Sequence, residues 1–149
     1  MAAVNVTRYG ETAQKKAARS MVFHLTDALM AAHGITVEAG SFSFKVATLP
    51  ANSLVQAATV LVNKATAAAS TAVLTVGTTE SGAQLLAATD TKTVGAAGTI
   101  VKALPTGTGM DVYVRLLASG ATTSVGDLYV VLDYLELEKN TGEYTNYSN

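Results

Sequence analysis

Short runs of Thr, Val, Ala and Leu, broken by Gly, Pro and Asn, dominate this chain and most constrain its fold. Ser53-Leu54-Val55, Ala58-Thr59-Val60-Leu61-Val62 and Ala72-Val73-Leu74-Thr75-Val76-Gly77 are typical. β-Branched residues of this kind fit a pleated, half-buried surface, and the breaks between them are turn residues. Sequence of this sort builds sheets and contact surfaces rather than reactive centres. Apolar residues make up 49% of the chain and aromatics only 6%, so the core is expected to be thin and finely packed between two sheets. A chain of 149 residues is long enough for one domain, burying roughly 68–70% of its unfolded surface.

Along the chain, Phe42, Phe44 and Val46 alternate with Ser43 and Lys45, a period of two. Leu49-Pro50-Ala51-Asn52 reads as a bend. Residues 53–62 and 71–78 read as strands, joined by a small-residue connector over 65–70. Residues 81–88 fit a short helix or loop, and 89–98 a Gly-rich loop. Ile100, Lys102 and Leu104 open another strand, which 105–109 ends. Met110, Val112, Val114 and Leu116 alternate with Asp111, Tyr113 and Arg115. Residues 120–126 are a turn region. In the last strand, 128–137, the apolar parity shifts from Leu128, Val130 and Leu132 to Leu135 and Leu137. That shift requires a β-bulge or burial on both faces, the second face lying inside the monomer or against another subunit.

Residues 12–33 admit two readings. In one, Thr12 to Arg19 forms a helical turn or two, a strand runs through Met21, Phe23 and Leu25, and a short helix begins at Thr26-Asp27 and closes at Gly34. In the other, a single helix spans 12–33. The expected architecture is all-β: a single antiparallel β-sandwich, jelly-roll-like, over 20–138. An extended N-terminal arm over 1–19 and a short C-terminal tail over 139–149 flank it.

Chemistry is sparse. The chain has no Cys, so disulfides and thiolate metal sites are excluded. His24 and His33 lie nine positions apart with no carboxylate motif around them. No Gly-x-Ser-x-Gly elbow occurs, and Gly95-Ala96-Ala97-Gly98 and Gly107-Thr108-Gly109 lack the Lys-Ser/Thr ending of a phosphate loop. Asp133, Glu136 and Glu138 on the last strand read as a solvated edge. No catalytic residue, cofactor or metal site is expected, and the chain is read as not an enzyme.

Net charge is −1, which gives no bulk attraction to nucleic acid or to a membrane surface. No apolar run approaches the ~20 residues that span a bilayer, and no signal peptide is expected. Charge is uneven, however. Residues 1–20 carry Arg8, Lys15, Lys16 and Arg19 against Glu11, while 127–149 carry five acidic residues against Lys139. The two ends are either solvated or complementary surfaces for neighbouring subunits. With Tyr9, Tyr144 and Tyr147, whose rings suit interfaces, and with Leu135 and Leu137, these basic residues form the candidate partner interface.

Three segments carry a resemblance: Leu49-Pro50-Ala51-Asn52-Ser53, Leu74-Thr75-Val76-Gly77-Thr78, and Gly126-Asp127-Leu128-Tyr129-Val130-Val131-Leu132-Asp133-Tyr134. Together they resemble virion structural proteins of tailed bacteriophages, over roughly residues 20–137. The resemblance implies a β-sandwich on the outside of the capsid that cements major capsid subunits, as a symmetric homo-oligomer such as a trimer. It carries over no catalytic residue, and it covers neither the arm nor the tail. The alternative is another virion part, a head fibre, neck or tail component, with a carbohydrate-binding face.

Overall fold

The computed structural model describes residues 14–15, 18–37, 40–99, 104–137 and 142–143. Its first strands are β1 (Gln14–Lys15) and β2 (Ala18–Thr26), followed by helix α1 (Asp27–Ala32). The hydroxyl of Thr26 caps α1 by accepting the Leu29 N–H at 3.2 Å, and the helix stops at His33 and Gly34. Next come β3 (Ser41–Leu49), β4 (Ser53–Lys64), β5 (Ala67–Ala68), β6 (Ala72–Gly77) and β7 (Leu86–Asp90). The chain continues through β8 (Gly95–Thr99), β9 (Leu104–Pro105), β10 (Met110–Ala118), β11 (Thr122–Ser124), β12 (Asp127–Glu136) and β13 (Gly142–Glu143).

The molecule is all-β, and among the described residues every strand pairing is antiparallel. One sheet has the order β2-β12-β4-β8, with β9 also on β4; the other has the order β3-β10-β6-β7. Alternation drives both. In β10, Met110, Val112, Val114 and Leu116 are buried while the residues between them are half-buried. In β12, Leu128, Val130 and Leu132 do the same. These inward residues join Phe42, Leu74 and Val60 in a single core to which both sheets contribute. Phe23 of one sheet meets Phe44 of the other, with ring centroids 5.8 Å apart.

The bend between β3 and β4 shows how turn chemistry sets register. Asn52 takes a left-handed φ of 52°, and its N–H donates to the Gly107 carbonyl at 2.9 Å. The buried Thr106 hydroxyl donates to the Pro50 carbonyl at 2.8 Å and accepts the Ser53 N–H at 2.9 Å. The expected bend is present, and a loop far away in sequence holds it.

Several expectations are corrected. The single helix over 12–33 is absent, because β2 pairs along β12 and leaves only six helical residues. A helical turn before Arg19 is replaced by extended pairing at Gln14–Lys15 and from Ala18 onward. Residues 81–88 form no helix: they lead into β7, and the supposed loop over 89–98 contains the end of β7 and most of β8. The connector over 65–70 and the turn region over 120–126 pair with each other as β5 and β11. Small Ala and Gly residues carry little strand propensity of their own, so neighbouring strands impose these ladders. Residues 100–103 lie outside the described residues.

The parity shift in the last strand also resolves. β12 itself keeps its period, since Tyr134 and Glu136 continue the inward row of Leu128, Val130 and Leu132. The register shift is opposite, where Asp133 faces Ala57 and Tyr134 faces Val55, so Gln56 is the extra residue on β4.

Candidate interaction surface

The outer parity of β12 runs Asp127, Tyr129, Val131, Asp133 and Leu135, so its second face is apolar at its middle. Directly paired antiparallel residues share a face. Val131 therefore lies between Val22 of β2 and Thr59 of β4, Tyr129 between His24 and Leu61, and Leu135 between Ala18 and Leu54. Val22 is 57% exposed and Leu61 43% exposed. A single exposed Val is ordinary; the two adjoining rows of Val131 and Tyr129 across three strands make a patch, and the row of Ser20, Asp133 and Ala57 separates it from Leu135.

Polar pairs bound this patch. At one end the His24 ring nitrogen hydrogen-bonds with the Asp127 carboxylate, and the imidazole stacks on Tyr129, ring centroids 4.1 Å apart and 6° from parallel. The Asn63 amide donates to the other Asp127 oxygen at 2.6 Å. Nearer the other end the Ser20 hydroxyl donates to Asp133 at 2.5 Å. The Asn63 amide first, and His24 second, hold the Asp127 carboxyl below its ordinary value of 3.8. Among the described residues no group of three or more His, Cys, Asp or Glu could hold a metal ion.

The outer side of the second sheet differs. Lys45 and Asp111 pair there at 2.9 Å, and Thr48 also donates to Asp111 at 2.7 Å. The Lys45 ammonium, then Thr48, lowers the Asp111 carboxyl, and Asp111 in turn raises Lys45. The Ser43 hydroxyl donates to the Glu80 carbonyl at 3.2 Å, so the segment after β6 lies over part of this face. Asp111 and Asp127 both have carboxyl groups lowered by folding. Their stabilisation is complete above the unfolded value of 3.8 and is lost as pH falls through the lower folded values. Acid titration followed by circular dichroism should therefore show Asp111→Asn and Asp127→Asn flattening the loss of stability below about pH 4 while leaving the neutral range flat.

The candidate interface residues divide. Leu135 lies on the outer face beyond the Ser20–Asp133 pair, and Leu137 follows β12, 46% exposed, its N–H donating to the Asn52 carbonyl at 2.9 Å. Arg19 is committed within the chain: its guanidinium pairs with Glu136 at 3.1 Å. Glu136 is buried and β12 lies between β2 and β4, so the expected solvated acidic edge is overturned for this strand. Glu136 sits on the inward side at the end of the core, where its charge requires a partner. Arg19→Ala should cost about 1–3 kcal/mol in urea unfolding, between an exposed ion pair and a fully buried one, whereas Lys45→Ala, at a solvent-screened pair, should cost clearly less.

Lys15 is placed by its backbone, opposite Gly142, with Gln14 opposite Glu143. At this point the basic arm and the acidic tail meet each other within one chain. Arg8, Tyr9, Lys16, Tyr144 and Tyr147 lie outside the described residues, as does Glu138. Sequence reasoning passed over Val22, Leu61, Val131 and Tyr129. Their signal was present in the unbroken apolar runs Tyr129–Leu132 and Val60–Val62, which leave no polar parity for solvent.

The chain matches no protein-family model, no curated protein and no solved structure.

Proposed function

We propose that this chain is a non-enzymatic jelly-roll sandwich that binds the outside of a tailed-phage capsid and bridges neighbouring major capsid subunits. The observation that carries this reading is the apolar outer patch of Val22, Val131 and Leu61, which no second layer covers among the described residues. Strand order supports the jelly-roll reading. The eight longer strands divide four and four between a four-stranded and a five-stranded sheet, and the chain passes repeatedly from one to the other. The sequence resemblance supplies the capsid setting and a homo-oligomer, with a trimer as its implied stoichiometry.

The mechanism is mechanical. Covering apolar surface contributes about 25 cal/mol per Å², against a substantial cost of association. Each contact is modest, and repetition over a symmetric shell multiplies it. Quantitative mass spectrometry of purified particles tests the reading. Decoration requires many copies in fixed ratio to the major capsid protein, and a handful per particle would contradict it.

One observation favours the second reading, a fibre, neck or tail part with a carbohydrate-binding face. Tyr129 and His24 stack beside Asp127 and Asn63, combining aromatic rings with a carboxylate and an amide. Both Asp127 oxygens are already engaged by His24 and Asn63, which places this second. Glycan-array binding abolished by Tyr129→Ala would reverse the order.

A further inference from the structure

A free strand edge is a row of unpaired N–H and C=O groups that another strand completes, and proteins blunt such edges with short length, bulges, Lys or Pro. β2, β8, β3 and β7 end the two four-strand orders. β7 and β8 have five residues each, and both pair with shifted register. β3 carries Lys45 and an extra residue, Val46, opposite the Val112/Tyr113 step. β2 has no bulge, Lys or Pro, and its one charged residue of that kind, Arg19, sits at its first end, paired with Glu136. It runs nine residues in unbroken register with β12. Among the described residues, the backbone hydrogen bonds of β2 as a strand go to β12 alone.

Its side chains also stop short of cover. Met21 and Phe23 point to the core but are only half-buried, whereas Leu132 and Val130 opposite them are buried. Val22, between them, faces outward and is 57% exposed.

We propose that two copies of this chain join by antiparallel pairing of their β2 edges about a two-fold axis at Val22. The segment Met21-Val22-Phe23 is apolar in both directions from its centre, so it is complementary to itself. In this register Val22 lies opposite the partner's Val22, and Met21 opposite the partner's Phe23. His24 lies opposite the partner's Ser20, which is the residue bound to Asp133. Core sides stay together, and the two outer apolar faces merge into one. The pairing closes on itself, as an isologous contact does. A head-to-tail ring would require β2 to join one of the three blunted edges. The stoichiometry is therefore two rather than the three that the resemblance implies, and the inference stands apart from the capsid reading.

The chain has no cysteine, which makes the test clean. Directly opposed residues in an antiparallel pair have Cβ atoms about 4.5–5.5 Å apart, close to disulfide reach. Light scattering of the full chain should give a dimer. Val22→Cys should cross-link under mild oxidation several-fold faster than Val94→Cys, whose side chain is equally open before β8. Val22→Lys should shift the dimer to monomer with an unchanged circular dichroism spectrum, because position 22 faces away from the core. A wild-type monomer, whose β2 edge is left bare or taken by the chain's own residues 1–13, would overturn the proposal. So would a trimer, or a dimer in which Val22→Cys and Val94→Cys cross-link at the same rate.

Discussion

Gly126→Ala should destabilise the fold by roughly 2–6 kcal/mol, the sum of a strained backbone and an overpacked contact. Gly126 sits at the entry to β12 with a φ of 86°, a region that side chains disfavour. A Cβ there would lie 2.3 Å from the Lys64 carbonyl oxygen and 2.9 Å from the Ala65 carbonyl group. Both are backbone, at the end of the strand that pairs with β12, so neither can swing away. Against a typical total of about 5–15 kcal/mol, the loss takes a large share of the stability. Urea unfolding measures it. Gly107→Ala is the control: its φ is 57°, but nothing lies within 4 Å of the added methyl. The control should cost only the left-handed backbone strain, of order 1 kcal/mol. Equal effects at the two positions would contradict the close approach of β12 to the β4 terminus.

The second large effect is Leu128→Ala, at about 2–5 kcal/mol. Leu128 is fully buried between Leu25 and Val62, at the centre of the sheet's inner row. Truncation removes its transfer energy and leaves a cavity that strands locked in register cannot collapse around. Three positions along, Val131→Thr should change stability by no more than about 0.5 kcal/mol, since it keeps the shape and places a hydroxyl on the outer face. The pair tests the assignment of faces. A Val131→Thr cost approaching that of Leu128→Ala would mean that the outer face is already buried within the monomer.

Strand propensity and parity made much of this architecture readable in advance. β3, β4, β6, β10 and β12 follow from alternation, and Leu49-Pro50-Ala51-Asn52 from turn chemistry. What parity could not supply is the partner of each strand. Gly95 to Thr99 has no apolar alternation, and pairing with Thr59 to Val62 makes it extended. The same holds for Ala67–Ala68, which is extended by Thr122 and Ser124. Glu136 looked like a surface acid because sequence does not show Arg19 across the sheet, where the guanidinium makes a buried carboxylate tolerable. The interaction surface was half-visible. Leu135 stood out as a parity violation, yet β12 keeps its period and Leu135 is an apolar side chain on the outer face. Val22 and Leu61 gained meaning only when register set them in rows with Val131 and Tyr129.

In the function proposed above, this chain lays an apolar sheet face against other protein chains on a capsid. Heat-induced genome release from particles with and without the chain measures this most directly. The account predicts release at a lower temperature from particles lacking it, restored by adding back wild-type chain but not a Leu61→Lys, Val131→Lys variant that folds normally. Identical release temperatures for both kinds of particle would contradict it.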